Sequence, residues 1–198
     1  MRIALTGHRK GLGECLYKTL LDLGHTVTAF DIVDGYDINK KDVRAQILSS
    51  TQNCEVFINN AYSAPGQFEL LKLTIESEQY KHVIHVGTHA TKIPKDVMDR
   101  DPDWLKQKLI DREMYLKQKS LQENYVHMIR DKVDTLVSTI NPGYMETSLL
   151  TGPITLPTVS LDDVCSTIVF QLNMGKRGIY IPDIDIFQSS RHPQQNSI

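Results

Sequence analysis

Thr6-Gly7-His8-Arg9-Lys10-Gly11-Leu12-Gly13 follows the apolar run Ile3-Ala4-Leu5. It leads into a stretch that carries Leu12, Cys15, Leu16, Leu20 and Leu23 largely on one side. The pattern reads as strand, glycine turn and helix. Glycines in such a turn let the chain bend tightly, let its backbone approach a pyrophosphate, and let the helix pack close on the strand. The anion then meets the unpaired N–H groups and the positive end of the dipole at the helix N-terminus. Gly7, Gly11 and Gly13, with Arg9, Lys10 and Leu12 between them, are the candidate phosphate-binding residues.

The rest of the chain is read against that turn. Its 198 residues are enough for one domain with a proper core. Net charge is −2, and no basic run exceeds His8-Arg9-Lys10, so nucleic-acid binding has no electrostatic footprint. No apolar run reaches the roughly 20 residues of a membrane helix. The chain opens directly on a strand pattern, and three scattered cysteines (Cys15, Cys54, Cys165) fit neither a disulfide nor a zinc framework. These features predict a cytoplasmic protein with buried, reduced thiols.

Strand and helix patterns alternate from end to end, which predicts an α/β fold: a doubly wound, mostly parallel sheet, Rossmann-like, in three α/β/α layers. Predicted strands are Ile3–Leu5, His25–Phe30, Glu55–Ile58, His82–Val86, Thr135–Ile140 and Gly178–Ile181. Helices are expected after Asn39, around Phe68–Glu78, from Asp101-Pro102 to about Arg130, and after Ser160. One domain over 1–188 and a loose polar tail over 189–198 are expected.

Asp31 closes the second strand about 20 residues past the glycine turn, where a carboxylate accepts from the adenosine ribose hydroxyls and repels a 2′-phosphate. That favours NAD. Arg9 and Lys10 could pair with a 2′-phosphate and favour NADP. The carboxylate acts at the site itself, so NAD is preferred. Tyr115 and Lys119 form Tyr-x-x-x-Lys on the long helix, one turn apart and on one face. An ammonium beside a phenol lowers its pKa and fits it to move a proton to or from a carbonyl oxygen. Thr88, after the strand that ends near Gly87, can hydrogen-bond the same oxygen. His82 and His85 have an odd separation on one strand and face opposite ways, so with His89 they make no metal site.

The chain resembles the short-chain dehydrogenase/reductase family over nearly all its length. Thr6-Gly7-x-x-x-Gly11-x-Gly13 is similar to the family's cofactor turn, and Asn59-Asn60-Ala61 to its Asn-Asn-Ala-Gly segment. Thr88, Tyr115 and Lys119 fall where the family has Ser, Tyr and Lys, and Pro142-Gly143-x-x-x-Thr147 is similar to its Pro-Gly-x-x-x-Thr. The resemblance implies an NAD or NADP cofactor held by the glycine turn with Asp31, Asp37, Asn60, Ala61, Pro142, Gly143 and Thr147. It also implies a Thr88-Tyr115-Lys119 catalytic set, with Lys119 additionally holding the nicotinamide ribose, and a small-molecule carbonyl or alcohol substrate.

The departures are specific. Tyr62 replaces the glycine of Asn-Asn-Ala-Gly, Thr88 replaces serine, and no asparagine lies between Asn60 and Thr88 to match the family's helix asparagine. Asp31 and Asp37 are too close for the helix usually found between the second and third strands. Asp37–Asp42 and Ile58–Ala64 resemble reductases of the dTDP-4-dehydrorhamnose type, without room for their substrate lobe. Substrate elements are expected around His89–Asp101 and Leu149–Thr158. A homodimer is expected, with no membrane or nucleic-acid partner. The alternatives left open are a nucleotide-binding protein without catalysis and an epimerase or dehydratase acting on a nucleotide sugar.

Overall fold

The computed structural model describes residues 1–93, 112–145 and 158–187. Along the chain run β1 (Arg2–Thr6), α1 (Gly11–Asp22), β2 (Thr26–Phe30), α2 (Lys41–Ser50), β3 (Val56–Asn59), α3 (Gly66–Glu76) and β4 (His82–Val86). Then come α4 (Arg112–Ile129), β5 (Leu136–Pro142), α5 (Leu161–Lys176) and β6 (Asp183–Ile186). Short 3-10 turns at Ile32–Asp34 and His89–Lys92 follow β2 and β4. Trp104, Thr147, the Asp101-Pro102 helix start, most of the expected substrate elements and the tail 189–198 lie outside the described residues.

The strands form one parallel sheet in the order β2-β1-β3-β4-β5-β6. Strand alternation divides the core into two layers. Ile3, Leu5, Ile58 and Ile84 pack with Leu12, Leu16 and Leu20 of α1 and with Val164, Ile168 and Leu172 of α5. Ala4, Phe57, Val83 and Val137 pack on the other face with Ile47, Leu70, Leu71, Ile75 and Val126 from α2, α3 and α4. Helices thus cover both faces, and the doubly wound α/β fold predicted from the alternation is the fold observed. Each fully buried Leu, Ile or Phe contributes about 1.5–3 kcal/mol over its exposed state. Sheet order reverses between β1 and β3, which opens a crevice at their carboxyl ends. Both candidate cofactor segments leave the sheet there.

Several local expectations hold. Ser160 caps α5, its Oγ accepting from the Asp163 N–H at 3.1 Å. Only a 3-10 turn separates Asp31 from Asp37, but the expectation of no helix between the second and third strands is corrected: α2 joins β2 to β3, starting beyond Asp37. The last strand is a correction: it is Asp183–Ile186, not Gly178–Ile181. The 178–181 stretch carries the chain back to the sheet, with the Tyr180 hydroxyl donating to the Val137 carbonyl and the Ile181 carbonyl accepting from Ser138 and Gln171. Alternating aspartates disguise the true strand, because charge is depleted from strand interiors. An edge strand tolerates it. Asp183 pairs with Arg130 and His127, and Asp185 with Lys92. Among the described residues no helix is long and apolar enough to cross a membrane.

Candidate active site

The glycine turn is built by exclusion of side chains. Gly7 has φ +76°, in the left-handed region. A Cβ on Gly13 would lie 1.7 Å from the Gly7 carbonyl oxygen, so helix and turn touch backbone to backbone. Asn60 braces this turn from β3: its Nδ2 donates to the Thr6 and Gly7 carbonyls at 3.0 and 3.2 Å. Thr6 Oγ1 accepts from the Asn60 and Ala61 N–H groups at 3.1 and 3.0 Å. Asn60 and Ala61 therefore shape the cradle, and the Asn60 amide is already engaged. Leu12 is a core residue, leaving its backbone to face the turn. Lys10 is exposed at the N-cap of α1 and supplies no side-chain cap. The first N–H groups of α1 are thus left without a capping side chain, as a phosphate site requires.

Asp31 stands at the end of β2 and accepts from two backbone N–H groups, Arg9 through Oδ2 and Val33 through Oδ1, each at 3.1 Å. Its carboxylate thereby joins the glycine turn to the following 3-10 turn. The Arg9 guanidinium is held by Asp34, with Nε donating to Oδ2 at 3.0 Å and Nη2 to Oδ1. That hydrogen bond raises Arg9 and lowers Asp34 from their ordinary values. Asp37 accepts from the Asn39 N–H at 3.0 Å and shapes the turn into α2. Pro142 ends β5, and the Gly143 N–H donates to the Ile186 carbonyl at 2.7 Å, tying that end of the crevice to β6. The residues present fit a dinucleotide, with a side-chain-free cradle and uncapped amides at one end and a carboxylate at the next strand.

Thr88, Tyr115 and Lys119 come together past the carboxyl end of β4. Thr88 is buried, begins the His89–Lys92 turn, and stands near enough to Tyr115 to oppose the rise of its phenol. Lys119 Nζ lies 5.8 Å from the Tyr115 ring centre and 5.4 Å from that of Tyr62. Tyr62 stacks edge-on against Tyr115, with ring centres 4.9 Å apart. The expected lowering of the Tyr115 phenol is corrected: burial raises it, and Thr88 only opposes the rise. Lys119 itself is buried, and desolvation pushes it down to about 7. Its field on the phenol at neutral pH is that of a partly neutral amine.

Gln67 is the site residue that the sequence reading missed. Lys119 Nζ donates to Gln67 Oε1 and to the Val86 carbonyl, both at 2.8 Å. Gln67 is fully buried, and Asn59 Nδ2 donates to its carbonyl at 3.1 Å. The available signal was an amide on the apolar face of α3, in line with Leu70, Leu71, Thr74 and Ile75. A buried amide must have partners. His82 and His85 do face opposite sides, toward Ser138 and toward Asn59, and desolvation lowers both. Around the turn after Thr88, His89 stacks on Phe187 with ring centres 4.5 Å apart, while Lys92 binds Asp185.

The buried lysine gives stability a definite pH dependence. Folding moves Lys119 from 10.5 down to about 7, so between those values the unfolded chain binds more protons. Stability must rise with pH through that window, by at most about 1.4 kcal/mol per pH unit from this group. Lys119→Met removes the slope. Urea titrations of the nucleotide-free protein should show the mutant's stability relative to wild type falling from pH 7 to pH 10; a constant difference would contradict a neutralised lysine.

No protein-family model matches the chain, and no curated protein matches it. Solved structures do. A 3-alpha-hydroxysteroid dehydrogenase from Pseudomonas sp., complexed with NADH, superposes with TM-score 0.63 at 17% identity, covering 93% of this chain and 95% of that one. A serine dehydrogenase complexed with NADP+ gives TM-score 0.69 at 12% identity, over 100% and 98% of the two chains. A short chain dehydrogenase from Burkholderia cenocepacia in complex with NADP gives 0.67 at 13%, over 93% and 87%. The chain therefore has the α/β fold found in short-chain dehydrogenases.

Proposed function

We propose that the protein is an NAD(P)-dependent oxidoreductase of the short-chain dehydrogenase/reductase type, acting on a small carbonyl or alcohol. The observation that carries this reading is the meeting of Thr88, Tyr115 and Lys119 beside the crevice that the glycine turn opens. When bound, the nicotinamide supplies or takes the hydride. Thr88 orients the substrate oxygen by hydrogen bonding. Tyr115, protonated at neutral pH, gives that oxygen its proton in the reducing direction. Lys119 titrates near neutrality and can restore the proton, while Gln67 and Val86 hold its Nζ in place.

For the cofactor, Asp31 at the ribose position favours NAD, and Asp34 strengthens the preference by occupying Arg9. Lys10 is the remaining exposed cation of the turn. Thr147 would complete the nicotinamide end. A homodimer in the cytoplasm is the expected state. The Asp37–Asp42 turn is where a local likeness to deoxysugar-nucleotide reductases would matter, so nucleotide-sugar ketones belong among the substrates tried.

A second reading rests on Tyr62. Its ring lies against the phenol that must reach the substrate, as suits a nucleotide-binding protein without turnover. Parallel titration with NADH and NADPH, followed by nucleotide fluorescence and melting temperature, tests the foundation of both. NADH should bind at least about tenfold more tightly, since a 2′-phosphate would face the Asp31 carboxylate. Failure of both nucleotides to bind would remove the oxidoreductase reading. Tight binding without turnover across a panel of ketones and aldehydes would transfer the case to the second one.

A further inference from the structure

Cys15 on α1 and Cys165 on α5 are 150 residues apart in sequence, yet their Sγ atoms stand 2.6 Å apart. Both thiols are free. That separation is closer than two non-bonded sulfurs normally approach and longer than the roughly 2.05 Å of a disulfide. The two helices pack together through Leu12, Leu16, Leu20, Val164 and Ile168, which holds the sulfurs in register. Cys15 is partly exposed and Cys165 is buried, so an oxidant reaches Cys15 first. Cys54 is buried in the cluster on the opposite face of the sheet and is not part of this pair.

We propose that Cys15 and Cys165 are a reversible redox site, closing to an intramolecular disulfide under a thiol–disulfide oxidant such as glutathione disulfide. The Cys15 thiolate attacks one sulfur of the oxidant, forms a mixed disulfide and releases the first thiolate. The Cys165 sulfur then attacks Cys15 Sγ and expels the second. The protein loses two electrons and its two thiol protons, and the oxidant leaves as two thiols. Burial and the neighbouring Cys15 raise the Cys165 thiol, so the first attack falls to the more exposed Cys15, and the contribution of Cys15 to that rise lapses once its sulfur is in the mixed disulfide. The bond would fix α1, whose N-terminal end forms the candidate phosphate cradle, to α5. It closes a long loop, the case in which a cross-link most restricts the unfolded chain. The inference is independent of the oxidoreductase reading.

The test treats the full chain with glutathione disulfide, alkylates it after denaturation and maps the peptides. A Cys15–Cys165 linked peptide is expected, with Cys54 alkylated, reversal by dithiothreitol and a Tm higher by several degrees. Cys15→Ser and Cys165→Ser should each abolish the link. The reduced Cys15→Ser protein, altered at the more exposed position, serves as the folded control through its melting transition. Complete alkylation of both thiols would overturn the proposal. So would glutathione retained on Cys15 beside a free Cys165, or a link that involves Cys54.

Discussion

Tyr115→Phe should lower turnover about 10³-fold while leaving nucleotide affinity within about twofold of wild type. The substitution removes one oxygen. The ring stays in its edge-on packing with Tyr62, and Lys119 keeps both acceptors, Gln67 Oε1 and the Val86 carbonyl. Thr88 keeps its anchor at Ala90, whose N–H donates to Oγ1 at 3.3 Å. The expected loss is therefore confined to the proton-transfer step. It should appear in kcat and kcat/KM alike, as removal of an interaction used in the transition state does. Turnover by the Phe variant within about tenfold of wild type would move the proton donor elsewhere. Parallel loss of nucleotide binding would indicate damage to the fold instead.

The main features of this site follow from local pattern. A glycine turn between a strand and an amphipathic helix places the cradle, and a spacing of four on a helix puts Tyr115 and Lys119 on one side. Alternation along β4 separates His82 from His85, and the Ser160 cap is written in the spacing of Ser160 and Asp163. What local pattern does not hold is pairing across the sheet. Gln67 meets Lys119 only because α3 and α4 cover the same face, and a solitary amide among leucines names no partner. The neutralised lysine follows from that burial, so its pKa is equally hidden. Nothing local marks Asp34 as the partner that occupies Arg9. The last strand was misplaced because Asp-Ile-Asp-Ile resembles a polar loop until Arg130 and Lys92 are seen to neutralise it. Cys15 and Cys165 share no local signal, and only the packing of α1 on α5 unites them.

Gly13→Ala should weaken nucleotide binding at least about 100-fold and destabilise the chain by about 3 kcal/mol or more. The added methyl would lie 1.7 Å from the Gly7 carbonyl oxygen, 2.7 Å from the Gly7 carbonyl carbon and 2.7 Å from Asn60 Nδ2. Two of those atoms are backbone, so no rotamer change relieves the overlap. Either α1 moves away from β1 or the turn opens. Moving α1 disturbs Leu12, Leu16 and Leu20 in the core; opening the turn breaks the Asn60 bonds to Thr6 and Gly7. Both routes spread the amides that would hold a phosphate. Gly24→Ala is the matched control. Gly24, unlike Gly13, has positive φ, but a methyl there meets nothing within 4 Å, so it isolates backbone strain from steric overlap. It should cost about 1–2 kcal/mol of backbone strain and leave nucleotide binding intact. Melting curves with and without NADH read both effects together. Gly13→Ala binding nucleotide as tightly as Gly24→Ala would show that close contact between helix and turn is not what forms the cradle.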